Sequence, residues 1–233
     1  MTDQSFNVAD AFGPDQAATY DQRFEGMQAI KDAIHLVLRA HFTPLPETAR
    51  ILVAGAGTGA EVRYLAGLFP HWQFTLADPS AAMLDIARNH ARAEGFEDRC
   101  TFHPDYVSTL PDTDFDAATS LLVSHFLTDA KDRQVYFQSI TDRLKPGALF
   151  FNADLCADMD GASFDAVMGL WLGFMKLVGM DEQGRENYLT AFGTAFACHG
   201  PAEVEAMMQS AGFSPPAQCF QAGLIRGWIT SLA

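Results

Sequence analysis

Apolar residues recur at three- and four-residue steps from Ile30 through Ile34, Val37 and Leu38 to Phe42. That spacing predicts an amphipathic helix, and Pro44 and Pro46 end it. From Arg50 the pattern changes to short apolar runs alternating with periodic segments. A strand is expected over about 50–55, a helix over about 60–69 with Val62, Leu65, Ala66 and Phe69 turned inward, and a second strand over 72–77. Ser80 is a good N-cap for the next helix, whose buried stripe is Ala82, Met83, Ile86 and Ala87 and which Gly95 closes. A short third strand follows at 100–103 and a fourth at 115–122. A helix over about 131–144 stops at Lys145-Pro146-Gly147, and a fifth strand covers 148–154. Strands separated by helices imply right-handed crossovers and a parallel sheet covered on both faces.

The alternation pauses over 156–198, which reads as helical and very apolar: Phe164, Val167, Met168, Trp171, Phe174 and Met175 crowd together. Such a stretch can wall an acceptor pocket, form a homodimer interface or serve as core, and the sequence leaves all three open. A last helix spans about 201–211 and ends at Gly212. Two runs, 217–222 and 224–232, are close enough to form a hairpin on the sheet edge. The opening stretch to about residue 28 mixes Gly13-Pro14 with Phe6, Phe12, Tyr20 and Phe24 and reads as a helical or irregular cap.

Composition narrows the class. The chain has 233 residues, 48% of them hydrophobic and 19% charged, which suits an ordinary globular protein. A net charge of -14 with fifteen Lys and Arg argues against a nucleic-acid partner, since a phosphate surface needs clustered cations. Residues 1–10 are polar and acidic, unlike a signal peptide. The longest apolar stretch, 166–180, carries Lys176 and is too short for a bilayer, so no membrane partner is expected. Cys100, Cys156, Cys198 and Cys219 lie far apart with no C-x-x-C pair, as befits reduced, mostly buried thiols in a cytoplasmic protein. No metal site is expected.

In an open parallel sheet, ligands bind beyond the carboxyl ends of the strands. Four features fall there: the Gly55, Gly57, Gly59 loop, Asp78, Asp105-Tyr106, and the stretch from Ser120 to His125. Asp78 stands nineteen residues beyond Gly59, a spacing that suits a carboxylate accepting from a ribose diol. The third glycine comes one residue too early for the G-x-G-x-x-G loop of nicotinamide dehydrogenases.

The pieces Val53-Ala-Gly-Ala-Gly-Thr-Gly59, Leu76-Ala-Asp-Pro-Ser-Ala-Ala-Met-Leu84, Pro104-Asp-Tyr106, Phe115-Asp-Ala-Ala-Thr-Ser120 and Leu144-Lys-Pro-Gly-Ala-Leu149, in this order, resemble the class I S-adenosylmethionine-dependent methyltransferases. The resemblance covers about 50–155 well and Tyr20-Asp21 and Ala211-Gly212-Phe213 more loosely. It implies an α/β, Rossmann-like doubly wound sheet of seven strands, mostly parallel, with an antiparallel C-terminal edge hairpin. The single domain would comprise a helical cap (1–48), a cofactor-binding core (49–155), a helical lid insertion (156–198) and a last helix with the edge hairpin (199–233). S-adenosylmethionine is the implied cofactor and a small molecule the implied acceptor. Gly55, Gly57 and Gly59 would pass beneath the methionine part; Asp78, with Pro79 beside it, would hold the ribose hydroxyls. Asp105 and the Tyr106 backbone would face the adenine, and Ser120 and Leu121 would lie near the sulfonium and its amino group. One departure stands out: the family commonly has an acidic residue where this chain has Val53.

In-line methyl transfer needs alignment and exclusion of water, and a base only if the acceptor is protonated. His125 is the best-placed base, and Tyr20 is the cap residue expected over the cofactor. A looser similarity to carboxy-S-adenosylmethionine synthases raises a second chemistry, for which Arg185 is the candidate cation. A non-catalytic cofactor-binding protein is a third reading, which the missing acid at Val53 fits and an intact Asp78 and Asp105 argue against.

Overall fold

A computed structural model of the chain describes residues 13–23, 25–197 and 199–233. Phe6, Phe12, Phe24 and Cys198, named above for the cap and the thiols, lie outside them. Helices α1 (Pro14–Arg23) and α2 (Gln28–Phe42) precede β1 (Arg50–Ala54), α3 (Ala60–Leu68), β2 (Gln73–Ala77), α4 (Ala81–Ala93) and β3 (Cys100–His103). Then come β4 (Phe115–Leu121), α5 (Ala130–Thr141) and β5 (Leu144–Leu155). Two further helices, α6 (Phe164–Leu177) and α7 (Glu182–Ala191), lead to α8 (Pro201–Ser210), β6 (Ala217–Ala222) and β7 (Ile225–Ser231).

The seven strands form one sheet in the order β3-β2-β1-β4-β5-β7-β6. β1 to β5 run parallel, while β7 pairs antiparallel with both β5 and β6, so the edge hairpin is present. The strands carry little polar alternation because both faces are covered. Ile51 and Val53 enter the core beneath α2, α3 and α4, whereas Leu52 and Ala54 enter the one beneath α5 and α8. The order reverses between β1 and β4, which leaves a crevice at their carboxyl ends.

Two expectations need correction. The helix before the fifth strand ends at Thr141 rather than near 144, and β5 begins pairing at Leu144, ahead of the Pro-Gly break. The register with β4 shifts between Phe115 and Ala117, so Lys145 to Gly147 bulge out of a strand that then resumes. Arg143 pins this corner by donating to the carbonyls of Leu110, Ser139 and Ser108. The local Pro-Gly signal marks the bulge correctly but says nothing about pairing on either side. Of the thiols, Cys156 is buried, but Cys219 is exposed on the outermost strand. No helix among the described residues is long and apolar enough to cross a membrane.

Candidate functional site

The glycine loop links β1 to α3. Gly55, Gly57 and Gly59 have φ of 72°, 52° and 76°, backbone that L side chains rarely adopt. Their surroundings differ. A Cβ at Gly57 would meet nothing within 4 Å, so this residue borders open space. A Cβ at Gly59 would lie 3.2 Å from that of Ala87; Gly59 therefore serves the packing of α3 against α4, and the structure does not bring it to the cavity wall.

Two cavities meet at the loop, sharing Tyr20, Gly55, Gly57, Leu121, Leu122 and Phe126. The smaller, of about 310 Å³, lies toward β2 and β3 and is lined by Asp78, Pro79, Asp105, Tyr106 and Tyr136. The larger, of about 460 Å³, reaches under α6 and α7, with Glu61, His125, Trp171, Met175, Tyr188 and Phe196 on its wall. Both fall in the size range of small-molecule sites. The Trp171 indole donates to the Tyr188 hydroxyl at 2.6 Å, which ties α6 to α7 over the larger cavity.

Asp78 is buried and clamps the loop: one carboxylate oxygen accepts from the Gly57 N–H and the other from the Ser80 N–H, each at 2.8 Å. Burial raises its pKa, and those two N–H groups hold part of the rise back. Each oxygen keeps lone pairs for a further donor. Asp105 accepts from the Tyr106 N–H at 2.7 Å, so that donor is engaged within its own turn. On the other side, Thr58 in the loop donates to Asp21 of α1 at 2.8 Å, which draws the N-terminal helix onto the glycine turn. Tyr20, one residue earlier, lines both cavities. Burial and the charges of Asp21, Glu61 and Asp78 push its phenol to about 12, so it keeps its proton.

Leu121 lies on the shared wall, and Ser120 does not. It is fully buried, and its hydroxyl bonds the Tyr136 hydroxyl at 2.9 Å. Tyr136, its hydrogen-bond partner, lines the smaller cavity.

His125 sits in the short 3₁₀ turn Ser124–Phe126 after β4, buried at the wall of the larger cavity. Its Nδ1 lies 2.7 Å from Asp154 Oδ1, which also accepts the His125 backbone N–H at 3.0 Å. Asp154 Oδ2 accepts from the Ser124 hydroxyl and from Arg133 Nη2, the latter at 2.9 Å. Arg133, fully buried, also donates from Nε to Ser124 Oγ. Burial works to raise the Asp154 pKa, yet Arg133 and His125 outweigh it and hold the carboxyl below its usual value. An ionised Asp154 obliges Nδ1 to donate.

Sequence reasoning missed Asp154, Arg133 and Glu61. Asp154 was legible, because it stands near the end of its strand just as Asp78 and Asp105 follow theirs. Arg133 reads as one more polar residue on a helix, and only packing shows it buried. Glu61 occupies the first turn of α3, where an acid is ordinary; here it is 5% exposed and lines the larger cavity. Arg185 pairs with Glu182 on exposed α7 and lines neither cavity, so nothing places it to receive a carboxylated cofactor.

Residues 52–150 match the family described as "Methyltransferase domain". An uncharacterized protein of Synechococcus is 36% identical over 103 residues, 43% of this chain and 24% of its own length, so the chain spans about a quarter of that relative. Among solved structures, magnesium protoporphyrin IX methyltransferase of Synechocystis with bound S-adenosylhomocysteine has a TM-score of 0.68 at 14% identity, over 99% of this chain and 100% of that one. An O-methyltransferase family 2 protein of Planctomyces limnophilus in complex with apigenin has a TM-score of 0.64 at 17% identity, over 99% of this chain and 63% of that one. The chain thus has the fold of the S-adenosylmethionine-dependent methyltransferases, whose cofactor is S-adenosylmethionine. The cavities fit that group: open space above Gly57, buried Asp78 with spare acceptor capacity, and a carboxylate at Glu61.

Proposed function

We propose that this chain binds S-adenosylmethionine and methylates a small, largely apolar acceptor at a hydroxyl whose proton His125 removes. The observation that carries the reading is the junction of the two cavities at Gly57, with the His125–Asp154 pair on the wall of the apolar one. Asp78 would hold the ribose diol, and Asp105 with the neighbouring smaller cavity would take the adenine. When bound, the cofactor supplies an activated methyl group.

The residues of the chain do the rest. Leu121, Leu122 and Phe126 exclude water from the junction. Trp171, Tyr188 and Phe196 offer aromatic faces, which favours a flat or aromatic acceptor in the 156–198 insertion, acting as a lid. Asp154 fixes the tautomer of His125 so that Nε2 accepts the acceptor's proton, and the imidazolium that forms faces an ionised carboxylate. The apigenin-bound neighbour supports an acceptor of this kind.

The test is calorimetry with S-adenosylmethionine, S-adenosylhomocysteine and NAD, followed by mass spectrometry of a phenol panel for a mass gain of one methylene. Binding of the sulfur compounds and a methylated phenol are expected. Binding without any product would support a non-catalytic protein, and a carboxylated ligand that co-purifies would support the cofactor-remodelling reading. Asp78→Ala removes a charged acceptor worth about 1.5–3 kcal/mol and releases the loop it clamps. It should weaken S-adenosylhomocysteine accordingly; undiminished affinity would show that the ribose lies elsewhere.

A further inference from the structure

Glu61 is the least explained charge in the protein. Buried carboxylates are normally paired, and Glu61 takes part in none of the ion pairs among the described residues. It lines the larger cavity beside Gly57, Thr58 and Ala60, where the cavity meets the glycine loop. The other acids near the loop are engaged. Both oxygens of Asp78 hold backbone N–H groups. Asp21 accepts from Thr58, and its second oxygen lies 4.0 Å from His90. Val53, where the resemblance leads one to expect an acid, is a buried apolar strand residue.

We propose that Glu61 is the receptor for the cofactor's α-ammonium group, supplied from the first turn of α3 in place of a carboxylate at position 53. This rests on the S-adenosylmethionine reading above. A ligand with a diol at one end and an ammonium at the other would then lie across the loop, between Asp78 on the smaller cavity and Glu61 on the larger. The apolar wall of the larger cavity stays free for the acceptor. Lys31, on the same wall, leaves a countercharge for the carboxylate of the same amino-acid end.

The charged and titratable groups facing Glu61 or its cavity are Tyr20 and Asp21 of α1, Lys31 and His35 of α2, Asp78 after β2, His125 after β4, and Tyr188 of α7. Tyr20, at about 12, and His35, lowered to about 4 by burial and Lys31, each keep one state near neutrality. Burial raises Glu61 from 4.5 to about 7, against its own backbone N–H and the Thr119 hydroxyl, so at pH 7 the free carboxyl is partly protonated. An ammonium beside it draws the proton off, so binding should release protons at pH 7.

The experiment compares S-adenosylhomocysteine with 5′-methylthioadenosine, which keeps the adenosine and thioether but lacks the amino-acid end. Glu61→Gln should weaken S-adenosylhomocysteine at least about tenfold, the loss of one charge-assisted bond. It should leave 5′-methylthioadenosine within about twofold. Calorimetry in buffers of different ionisation enthalpy should show proton release for wild type and its loss in the variant. Unchanged S-adenosylhomocysteine affinity, or equal weakening of both ligands, overturns the proposal. Failure of wild type to bind either ligand would overturn the cofactor reading itself, a distinguishable result. The variant should fold: a raised acid pKa means that stability present below pH 4.5 is lost as pH rises through about 7, and glutamine removes that loss. Free Glu61→Gln should therefore melt no lower than wild type at pH 8.

Discussion

Asp154→Ala is expected to lower stability by about 3–5 kcal/mol, because it leaves Arg133 buried with no counter-charge. Both side chains are fully buried, and Asp154 is the partner with which Arg133 forms its ion pair. In a chain of this size the melting temperature should fall by roughly 6–20 °C. The pH dependence has a definite sign. Asp154 is held below its usual pKa, so the stability it contributes is present above about pH 4 and is lost as pH falls through the lower folded value. Thermal melts across pH 2–7 should therefore show an acid limb in wild type that is reduced in the variant. Replacing Arg133 and Asp154 together by apolar residues of similar volume should restore much of the loss. A variant as stable as wild type would show that water or rearrangement compensates Arg133 and that the buried network does not hold this corner.

His125→Ala should lower turnover by about 10²–10⁴-fold, the range of a positioned general base, with S-adenosylhomocysteine affinity unchanged. His125 borders the larger cavity only; the residues read as ribose and adenine contacts border the smaller one, and Glu61 and Lys31, read as contacts of the amino-acid end, are left intact. Asp154→Asn should act in the same direction, since an amide no longer imposes the Nδ1–H tautomer. Turnover equal to wild type at every pH would remove His125 from the chemistry and leave an acceptor that needs no base.

Several residues show why part of the site was legible and part was not. Asp78 and Asp105 both line the smaller cavity, and each could be read as a strand-end carboxylate from its position along the chain. Asp154 obeys the same rule at β5. Ser120 lies off the cavity wall, and β4 is buried on both faces: without a polar face, periodicity cannot say which neighbour borders the crevice. Gly59 shares its spacing with Gly55 and Gly57, yet only the approach of Ala87 reveals that its missing Cβ makes room for a helix.

By itself the sequence determined the order of strands and helices, the crossovers, and hence which ends of the strands gather into one crevice. These follow from local periodicity and from the short, right-handed connections that link neighbouring elements. The tertiary structure alone decided which charges are paired. Arg133 comes from α5, Asp154 from β5 and His125 from the turn after β4, and their network exists because β4 and β5 are adjacent with α5 laid across them. It likewise left Glu61 without an ion-pair partner beside the glycine loop, since burial and partner choice depend on residues far apart along the chain.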